Sequence, residues 1–264
     1  MTAAQHWAEQ LAGWAVPPDI LAAAPVSPWG HEVAPFARRA EQALGTDTPT
    51  SAAALAAVPV GGAVLDVGCG AGAGAFALAG RVNSAIGVDE RADMLVAFAA
   101  GADSLGLRHR EVEGRWPDIT PAVPAADVVI CQHVAYNVAD LAPFAEALTG
   151  AARVRVVLEL TAEHPLAWLR PLWRRFHDLD RPVGPVAADA VALLREAGVD
   201  PIVRTWSAPP TPGLGDEERV RFARRRLCLS EARDAELRDA LADLAVGRTE
   251  QNRDLVTVWW PGGG

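Results

Sequence analysis

The chain has 264 residues, of which half are apolar and 22% are charged, the composition of a globular protein with a core and not of a disordered one. Its formal net charge of −9 argues against tight binding to nucleic acid, because neutralising phosphates requires a basic surface. All 24 basic residues are arginine, so chemistry that needs a lysine amine, such as Schiff-base formation, is excluded.

The cysteines and the N-terminus bear on the compartment of the protein. Cys69, Cys131 and Cys228 lie far apart in the sequence, which predicts neither a disulfide framework nor a cysteine metal site. Residues 1–10 lack the basic and apolar regions of a secretory signal, and no apolar run reaches the roughly 18 residues of a membrane helix. We therefore expect a soluble cytoplasmic protein without a membrane partner.

Residues 1–50 predict a helical cap in front of a second unit at 51–264. Trp7, Leu11 and Trp14 follow helical spacing, and prolines at 17 and 18 predict a bend. A second helical stripe ends at Gly45, and its apolar members are Val33, Phe36, Ala37, Ala40 and Leu44.

From Ser51 onward, apolar strands alternate with helices, the pattern of a parallel sheet covered on both faces. We predict strands at 63–67, 84–88, 107–112, 127–131, 154–160, 202–207 and 255–260. We predict helices at 51–58, 73–80, 91–100, 141–151 and 187–197, and two more within 217–244. Between the fifth and sixth strands, Pro165 predicts the start of another helix and Pro171 a kink in it.

The strongest motif is the glycine-rich turn that follows the first predicted strand, from Asp66 to Gly74. Its glycines allow a sharp bend and a close approach of ligand to backbone, and the turn opens a helix. Asp89 ends the next strand, where a carboxylate can accept from both hydroxyls of a ribose. The segment therefore predicts a site for an adenosine-containing cofactor.

Two cofactors compete for this turn. Residues 70–75 also fit the G-x-G-x-x-G/A pattern of NAD-binding domains. A pyrophosphate there would be repelled by Asp66, whereas the ammonium and sulfonium of S-adenosylmethionine would be attracted. Gly68 adds the D-x-G-x-G-x-G spacing, so the residues favour S-adenosylmethionine over NAD.

This motif, together with the order of the strands, resembles the class I S-adenosylmethionine-dependent methyltransferases, clearly over residues 64–160. The resemblance implies a Rossmann-like, mostly parallel sheet of seven strands with helices on both faces and an antiparallel last strand. Helical insertions would follow strands 5 and 6. It implies that the turn holds the methionine end of the cofactor, Asp89 the ribose, and the exits of the second to fourth strands the remainder. The predicted cofactor residues are Asp66, Gly68, Cys69, Gly70, Gly72, Asp89, Glu90, Met94, Gly114, Arg115, Trp116 and Gln132.

The third strand departs from the family pattern. Many members have an aspartate directly after the glycine that corresponds to Gly114, and here Arg115 stands in its place. The backbone of Gly114 and Arg115 could still contact the adenine. Trp116 is either an apolar wall of that site or a core residue.

The segment after the fourth strand carries the candidate catalytic residues. In parallel sheets ligands bind beyond the carboxyl ends of the strands, where His133 and Tyr136 are placed. His133 is the candidate general base, because histidine titrates near neutral pH; the alternative is a loop histidine. Tyr136 either orients the acceptor or packs. The [N/D]-P-P-[Y/F] pattern of adenine and glutamine-amide methylation is missing.

Aromatic residues outside the sheet predict an apolar chamber for the acceptor, with helix packing as the alternative. The proposed lining is Trp29, Phe36, Asn137, Trp168 and Trp173. Glu159, Glu163 and His164 are too closely spaced to predict a metal site, and we expect none. The run of arginines at 224–226 predicts a solvated helix face more than an anion site.

The sequence thus predicts transfer of a methyl group from S-adenosylmethionine to an oxygen, nitrogen or carbon of a small molecule. The alternatives are an NAD(P)-dependent oxidoreductase and a non-catalytic protein that binds S-adenosylmethionine, and the fold alone cannot separate them. The identity of the acceptor and the oligomeric state do not follow from the residues.

Overall fold

The computed structural model describes residues 1–209, 216–245 and 253–264. Its strands are β1 (Gly62–Val67), β2 (Val82–Asp89), β3 (Arg108–Glu113), β4 (Ala126–Gln132), β5 (Ala152–Thr161), β6 (Ile202–Ala208) and β7 (Arg253–Pro261). They form one sheet in the order β3-β2-β1-β4-β5-β7-β6. β7 runs antiparallel to both β5 and β6, and the other pairs are parallel. The predicted seven-stranded, mostly parallel sheet is confirmed.

The helices cover this sheet in chain order. They are α1 (Ala3–Ala12), α2 (Pro18–Ala23), α3 (Val33–Ala43), α4 (Pro49–Leu55), α5 (Ala73–Phe76), α6 (Ala92–Ser104), α7 (Leu141–Ala151), α8 (Arg170–His177), α9 (Ala187–Glu196), α10 (Asp216–Arg226) and α11 (Asp234–Ala245). The predicted insertions are confirmed, since α8 and α9 follow β5 while α10 and α11 follow β6. None of the helices in the described segments combines the length and apolar content that crossing a membrane requires.

The central strands are apolar along their whole length because both of their faces are covered. On β1, Leu65 faces one core, to which α7 and α9 contribute, and Val64 faces the other, to which α4, α5 and α6 contribute. Both side chains are fully buried. A third apolar cluster, outside the sheet, joins α8, α10 and α11.

The first fifty residues pack directly onto this framework. Trp7 of α1 is fully buried, and its indole N–H donates to the carbonyl oxygen of Val138 at 2.7 Å. α1 contacts α9, while α3 contacts α5 and α6. The N-terminal helices therefore reach both sides of the sheet at the edge where β1 and β4 end.

Three local predictions were wrong. The bend predicted at Pro17 and Pro18 is the start of α2, because a proline in the first helical turn removes no needed hydrogen bond. The same reason explains Pro171, which lies in the first turn of α8 and does not kink a longer helix. The helix predicted at 73–80 ends at Phe76, four residues after it starts.

The turn between β1 and α5 is held by a buried carboxylate. Asp66 is 2% exposed, and its Oδ2 accepts a hydrogen bond from the backbone N–H of Ala75 at 2.9 Å. Burial raises the pKa of Asp66 to about 7, against the lowering effect of the Ala75 bond, and Asp89 raises it further. The carboxyl group therefore titrates close to neutral pH in the folded protein.

This shift predicts a pH-dependent stability. The folded pKa of Asp66 lies above the ordinary value of 3.8, so its contribution is fully present below about pH 4 and is lost as the pH rises through about 7. Asp66→Asn keeps an acceptor for Ala75 and has no charge to bury. We expect wild type to lose stability relative to Asp66→Asn between pH 5 and pH 8, measured by urea unfolding. A difference that does not vary with pH would contradict the assignment.

Candidate active site

The glycine turn after β1 is bent sharply at three positions. Gly68, Gly70 and Gly72 have φ angles of +68°, +51° and +99°, a region that side chains other than glycine rarely adopt. The N–H groups of Gly68 and Cys69 both donate to the carbonyl oxygen of Val88, at 2.8 and 2.9 Å. These bonds hold the turn against the carboxyl end of β2.

Two other segments pack directly on the turn. A Cβ added at Gly68 would lie 2.3 Å from Cγ2 of Val134, which follows β4. A Cβ added at Gly70 would lie 2.8 Å from Cδ1 of Phe36, which belongs to α3. The turn, the segment after β4 and the N-terminal helices therefore enclose one region at the carboxyl edge of the sheet.

Asp89 lies at this edge and is bound only by backbone donors. Its Oδ2 accepts from the N–H of Gly70 at 2.9 Å, and its Oδ1 accepts from the N–H of Arg91 at 3.0 Å. The side chain is half-buried, and each oxygen keeps a further lone pair. The N–H of Gly114 donates to the carbonyl oxygen of Asp89 at 3.0 Å, which brings the end of β3 alongside.

The other predicted cofactor residues lie in different surroundings. Glu90 and Arg115 are both exposed, with 3.8 Å between Arg115 Nε and Glu90 Oε1. Met94 is buried at 2% exposure. Trp116 is also buried, within the core below the sheet edge, and its indole N–H approaches the carbonyl oxygen of Phe144 at 3.4 Å. These contacts give Trp116 a packing role and keep Arg115 in solvent.

The segment after β4 presents His133 in an unusual conformation. Its φ angle is +60°, and its backbone N–H donates to the carbonyl oxygen of Glu159 in β5 at 2.9 Å. Its Nε2 lies 3.0 Å from Oε1 of the same glutamate. The preceding residue, Gln132, is half-buried at the end of β4. Backbone and side chain of Glu159 thus both fix the imidazole.

Glu159 is buried within a chain of hydroxyl groups. Its Oε2 accepts from the hydroxyl of Thr50 at 2.5 Å, and the Thr50 and Thr257 oxygens are 2.7 Å apart. The indole N–H of Trp206 donates to Thr257 at 2.9 Å. Since Thr50 gives its only proton to Glu159, Thr257 must donate to Thr50. Every donor in this chain is therefore directed towards the carboxylate.

The charge state of Glu159 follows from these contacts. Burial raises its pKa, but His133, the Thr50 hydroxyl and the charge of Arg253 lower it, and the net direction is downward. The carboxylate is ionised at neutral pH. An ionised acceptor 3.0 Å from Nε2 favours the imidazole tautomer with its proton on Nε2, which leaves a lone pair on Nδ1.

Thr50 and Thr257 carry no sequence signal for this site. They lie 109 residues before and 98 residues after Glu159 in number, in α4 and β7, and threonine is common in both kinds of position. The antiparallel register that pairs Glu159 with Thr257 brings them together. Only the sheet order reveals the contact.

Tyr136, the second candidate catalytic residue, is held by packing. Its hydroxyl donates to the carbonyl oxygen of Thr161 at 2.7 Å. Its ring stacks on Trp7 at 5.6 Å and meets the edge of His164 at 5.2 Å. Burial raises its pKa above the ordinary value, so the phenol keeps its proton. Asn137, one residue further, is exposed.

The residues predicted to line an acceptor chamber fall into two groups. Phe36 lies on Gly70, and Trp29 is 51% exposed seven residues earlier in the chain. Trp168 stacks on Phe222 at 6.1 Å, and both Trp168 and Trp173 belong to the cluster of α8, α10 and α11. Within the described residues, no three His, Cys, Asp or Glu side chains converge as metal ligands.

Comparisons with known proteins agree with this geometry. Residues 64–155, from β1 into β5, match the family model described as "Methyltransferase domain". A search of the curated proteins finds no match.

Several solved structures share the fold at low sequence identity. A cyclopropane-fatty-acyl-phospholipid synthase-like protein from Lactobacillus casei has a TM-score of 0.57 at 13% identity, over 96% of this chain and 99% of that one. An S-adenosylmethionine-dependent methyltransferase from Geobacter sulfurreducens, in complex with S-adenosylhomocysteine, has a TM-score of 0.50 at 16% identity, over 80% and 90%. Magnesium protoporphyrin IX methyltransferase from Synechocystis has 0.50 at 15%, over 88% and 90%.

The family match covers the glycine turn and Asp89, the two features from which an adenosine-containing cofactor was predicted. The sheet order with its antiparallel β7 extends the agreement over the rest of the fold. The chain is therefore an enzyme of the class I S-adenosylmethionine-dependent methyltransferases, and S-adenosylmethionine is its cofactor.

Proposed function

We propose that the acceptor is a small molecule, methylated at an oxygen, nitrogen or carbon atom, and that His133 is the general base. The observation that carries the proposal is the 3.0 Å contact between His133 Nε2 and Glu159 Oε1, beside the glycine turn. A hydroxyl or ammonium acceptor must lose a proton on methylation, and an oriented imidazole can take it. The pair therefore favours oxygen and nitrogen over carbon.

The residues of the edge fit the cofactor. S-adenosylmethionine supplies an electrophilic methyl group on a sulfonium. Asp89 has free lone pairs for ribose hydroxyls, and the left-handed glycines bring their backbone to the surface of the turn. Asp66 lies below the turn and positions it through Ala75. We keep the remaining predicted cofactor residues as proposals, with Trp116 the weakest because it is buried in the core.

His133 and Glu159 divide the proton chemistry between them. The Nδ1 lone pair of His133 takes the proton that the acceptor atom loses as its new bond to carbon forms. The imidazole then carries a positive charge, which the ionised Glu159 stabilises at 3.0 Å. Thr50 and Thr257 keep the carboxylate in place without neutralising it. Glu159 is thus a positioning residue, and Tyr136 contributes packing.

Three features support a small acceptor. The N-terminal helices pack on the glycine turn, so they cover the region next to it. The net charge of −9 disfavours nucleic acid, and the motif of adenine and glutamine methylation is missing. We further propose residues 1–50 as the cap over the acceptor. A cytoplasmic location is in keeping with Cys69, Cys131 and Cys228, which are buried and unpaired.

The size of the acceptor can be tested with labelled cofactor. The protein is incubated with an extract of its natural host and S-adenosylmethionine carrying a tritiated methyl group. We expect the label to pass through a membrane that retains macromolecules, dependent on active protein. Label retained with protein or nucleic acid would sink the small-molecule proposal and leave the methyltransferase intact.

The role of Asp89 predicts a change in cofactor affinity. Removing a charged acceptor of two ribose hydrogen bonds in Asp89→Ala should weaken S-adenosylhomocysteine binding about tenfold to a hundredfold, measured by calorimetry. Asp103→Ala, an exposed acidic residue on α6, is the control and should bind normally. NAD(H) and NADP(H) should not bind. Equal affinity of wild type and Asp89→Ala would remove Asp89 from the site.

The base assignment predicts a separation of turnover from binding. His133→Asn suits the left-handed backbone and cannot take the proton, so kcat should fall about a hundredfold or more. The S-adenosylhomocysteine Kd should stay within twofold, roughly the scatter of such measurements.

Glu159→Gln should lower kcat less than His133→Asn does, and Glu163→Gln, an exposed neighbour, should have no effect. The readout is the rate of label transfer into the low-mass fraction. Loss of cofactor binding parallel to the loss of kcat in His133→Asn would argue against His133 as the base.

A further inference from the structure

Arginine side chains from separate elements converge on His31, in the loop between α2 and α3. Nη2 of Arg226 in α10 donates to Nε2 of His31 at 3.0 Å. Nη1 of Arg91, which precedes α6, donates to the carbonyl oxygen of His31 at 2.6 Å. Nη1 of Arg225 lies 3.0 Å from the point that a Cβ of Gly30 would occupy. The loop at 29–31 is thus lined by three guanidinium groups.

The charges of this cluster are only partly balanced. Arg91 pairs with Asp93, and Arg224 pairs with Asp234 at 2.8 Å and with Glu231 at 3.1 Å. Among the described residues, Arg225 and Arg226 have no carboxylate oxygen within 4.0 Å. The prediction of a solvated face for residues 224–226 was wrong for these two, which are half-buried. A chain with nine excess negative charges therefore leaves two cations together at one place.

The surroundings of His31 are concave. The residue is exposed to solvent, yet burial by the protein around it lowers its pKa to about 4, with Arg226, Arg91, Arg225 and Arg39 lowering it further. A side chain that is both solvent-exposed and desolvated lies in the wall of a cleft. His31 is therefore neutral and accepts from Arg226. Nε of Arg226 is buried without a hydrogen-bond partner among the described residues.

This cleft adjoins the active site. The rings of His31 and Phe36 meet edge to face at 5.4 Å, and Phe36 lies on Gly70 of the glycine turn. On the other side of the Phe36 ring, the Arg39 guanidinium carbon is 5.7 Å from the ring centroid. Burial and Arg253 lower the pKa of Arg39 whereas Glu159 raises it, so Arg39 senses the charge of the catalytic pair. The phenyl ring separates the cluster from the turn by one side chain.

Aromatic surface accompanies the cations. The guanidinium carbon of Arg226 lies 5.9 Å from the ring centroid of Trp29 and 5.3 Å from that of Phe222. Trp29 keeps half of its surface open to solvent, next to the unpaired cations. A surface of this kind suits a ligand with an anionic group joined to a flat apolar body.

We propose that Arg225 and Arg226 bind a carboxylate or phosphate group of the methyl acceptor, with Trp29 against its apolar body. That the ligand is the acceptor rests on the proposed function; the anion site itself rests on the cluster. Bound there, the anion would lie between two guanidinium groups and relieve their repulsion. It would also satisfy the Nε of Arg226 and hold the acceptor beside the turn.

The test uses small probes on the protein saturated with S-adenosylhomocysteine. Benzoate and phenyl phosphate carry the two candidate anions, and benzamide has the shape of benzoate without its charge. Binding is measured by ligand-observed NMR or calorimetry for wild type, Arg225→Gln, Arg226→Gln and Trp29→Ala. The matched control is Arg221→Gln, on the same helix, whose arginine faces Glu32 at 3.7 Å.

We expect at least one anion to bind about tenfold more tightly than benzamide, and each glutamine substitution at 225 and 226 to weaken it about tenfold. Arg221→Gln should leave anion binding unchanged, and Trp29→Ala should weaken it. Whichever of benzoate and phenyl phosphate binds more tightly assigns the group. If Arg226→Gln fails to fold, judged by its thermal unfolding, Arg225→Gln and the exposed Trp29→Ala decide the result.

Three outcomes would overturn the anion site: benzamide binding as well as the anions, Arg221→Gln losing as much as Arg226→Gln, or Arg226→Gln weakening S-adenosylhomocysteine itself. The last result would assign the cluster to the cofactor. Failure of wild type to bind S-adenosylhomocysteine would instead contradict the cofactor assignment, and so separates that error from an error about the anion.

Discussion

The turn after β1 is the constraint on which the rest of the active site depends. Three glycines in left-handed conformations fold the chain back on itself, and the carbonyl oxygen of Val88 receives the N–H groups of two successive residues. Without side chains at Gly68 and Gly70, Val134 and Phe36 can pack directly on the backbone. The turn therefore sets the positions of the segment after β4 and of helix α3. A side chain at either glycine would strain the backbone and displace a neighbour.

Two buried carboxylates near this turn behave differently because their partners differ. Asp66 accepts one backbone hydrogen bond, so burial dominates and raises its pKa to about 7. Glu159 receives a hydroxyl and faces an imidazole, and these partners outweigh burial and lower its pKa. The first group holds a loop and needs no charge. The second stabilises a developing cation, and for that it must be ionised.

The distribution of arginine is as informative as its number. Most arginines of the described chain face acidic residues at the surface, where each pair contributes little to stability. Arg225 and Arg226 face a neutral histidine and aromatic rings, an arrangement that costs desolvation without an ion pair in return. Such an expense is reasonable for a ligand site. The proposed anion site and the His133–Glu159 pair lie on either side of Phe36, as an acceptor held at one end and deprotonated at the other requires.

The sequence by itself determined the sheet, the glycine turn, Asp89 and the cofactor, because these depend on local patterns: apolar runs, glycine spacing and a carboxylate at a strand end. It also placed His133 at the edge where chemistry occurs. The start of α2 and of α8 was misread because proline fits a first helical turn as well as a bend. Tertiary structure alone decided which candidates are buried, since Trp116 and Tyr136 lie in the core and Trp29 does not. It alone joined Thr50, Glu159 and Thr257, whose contact follows from strand register across the sheet, and it alone separated the paired Arg224 from the unpaired Arg225 and Arg226.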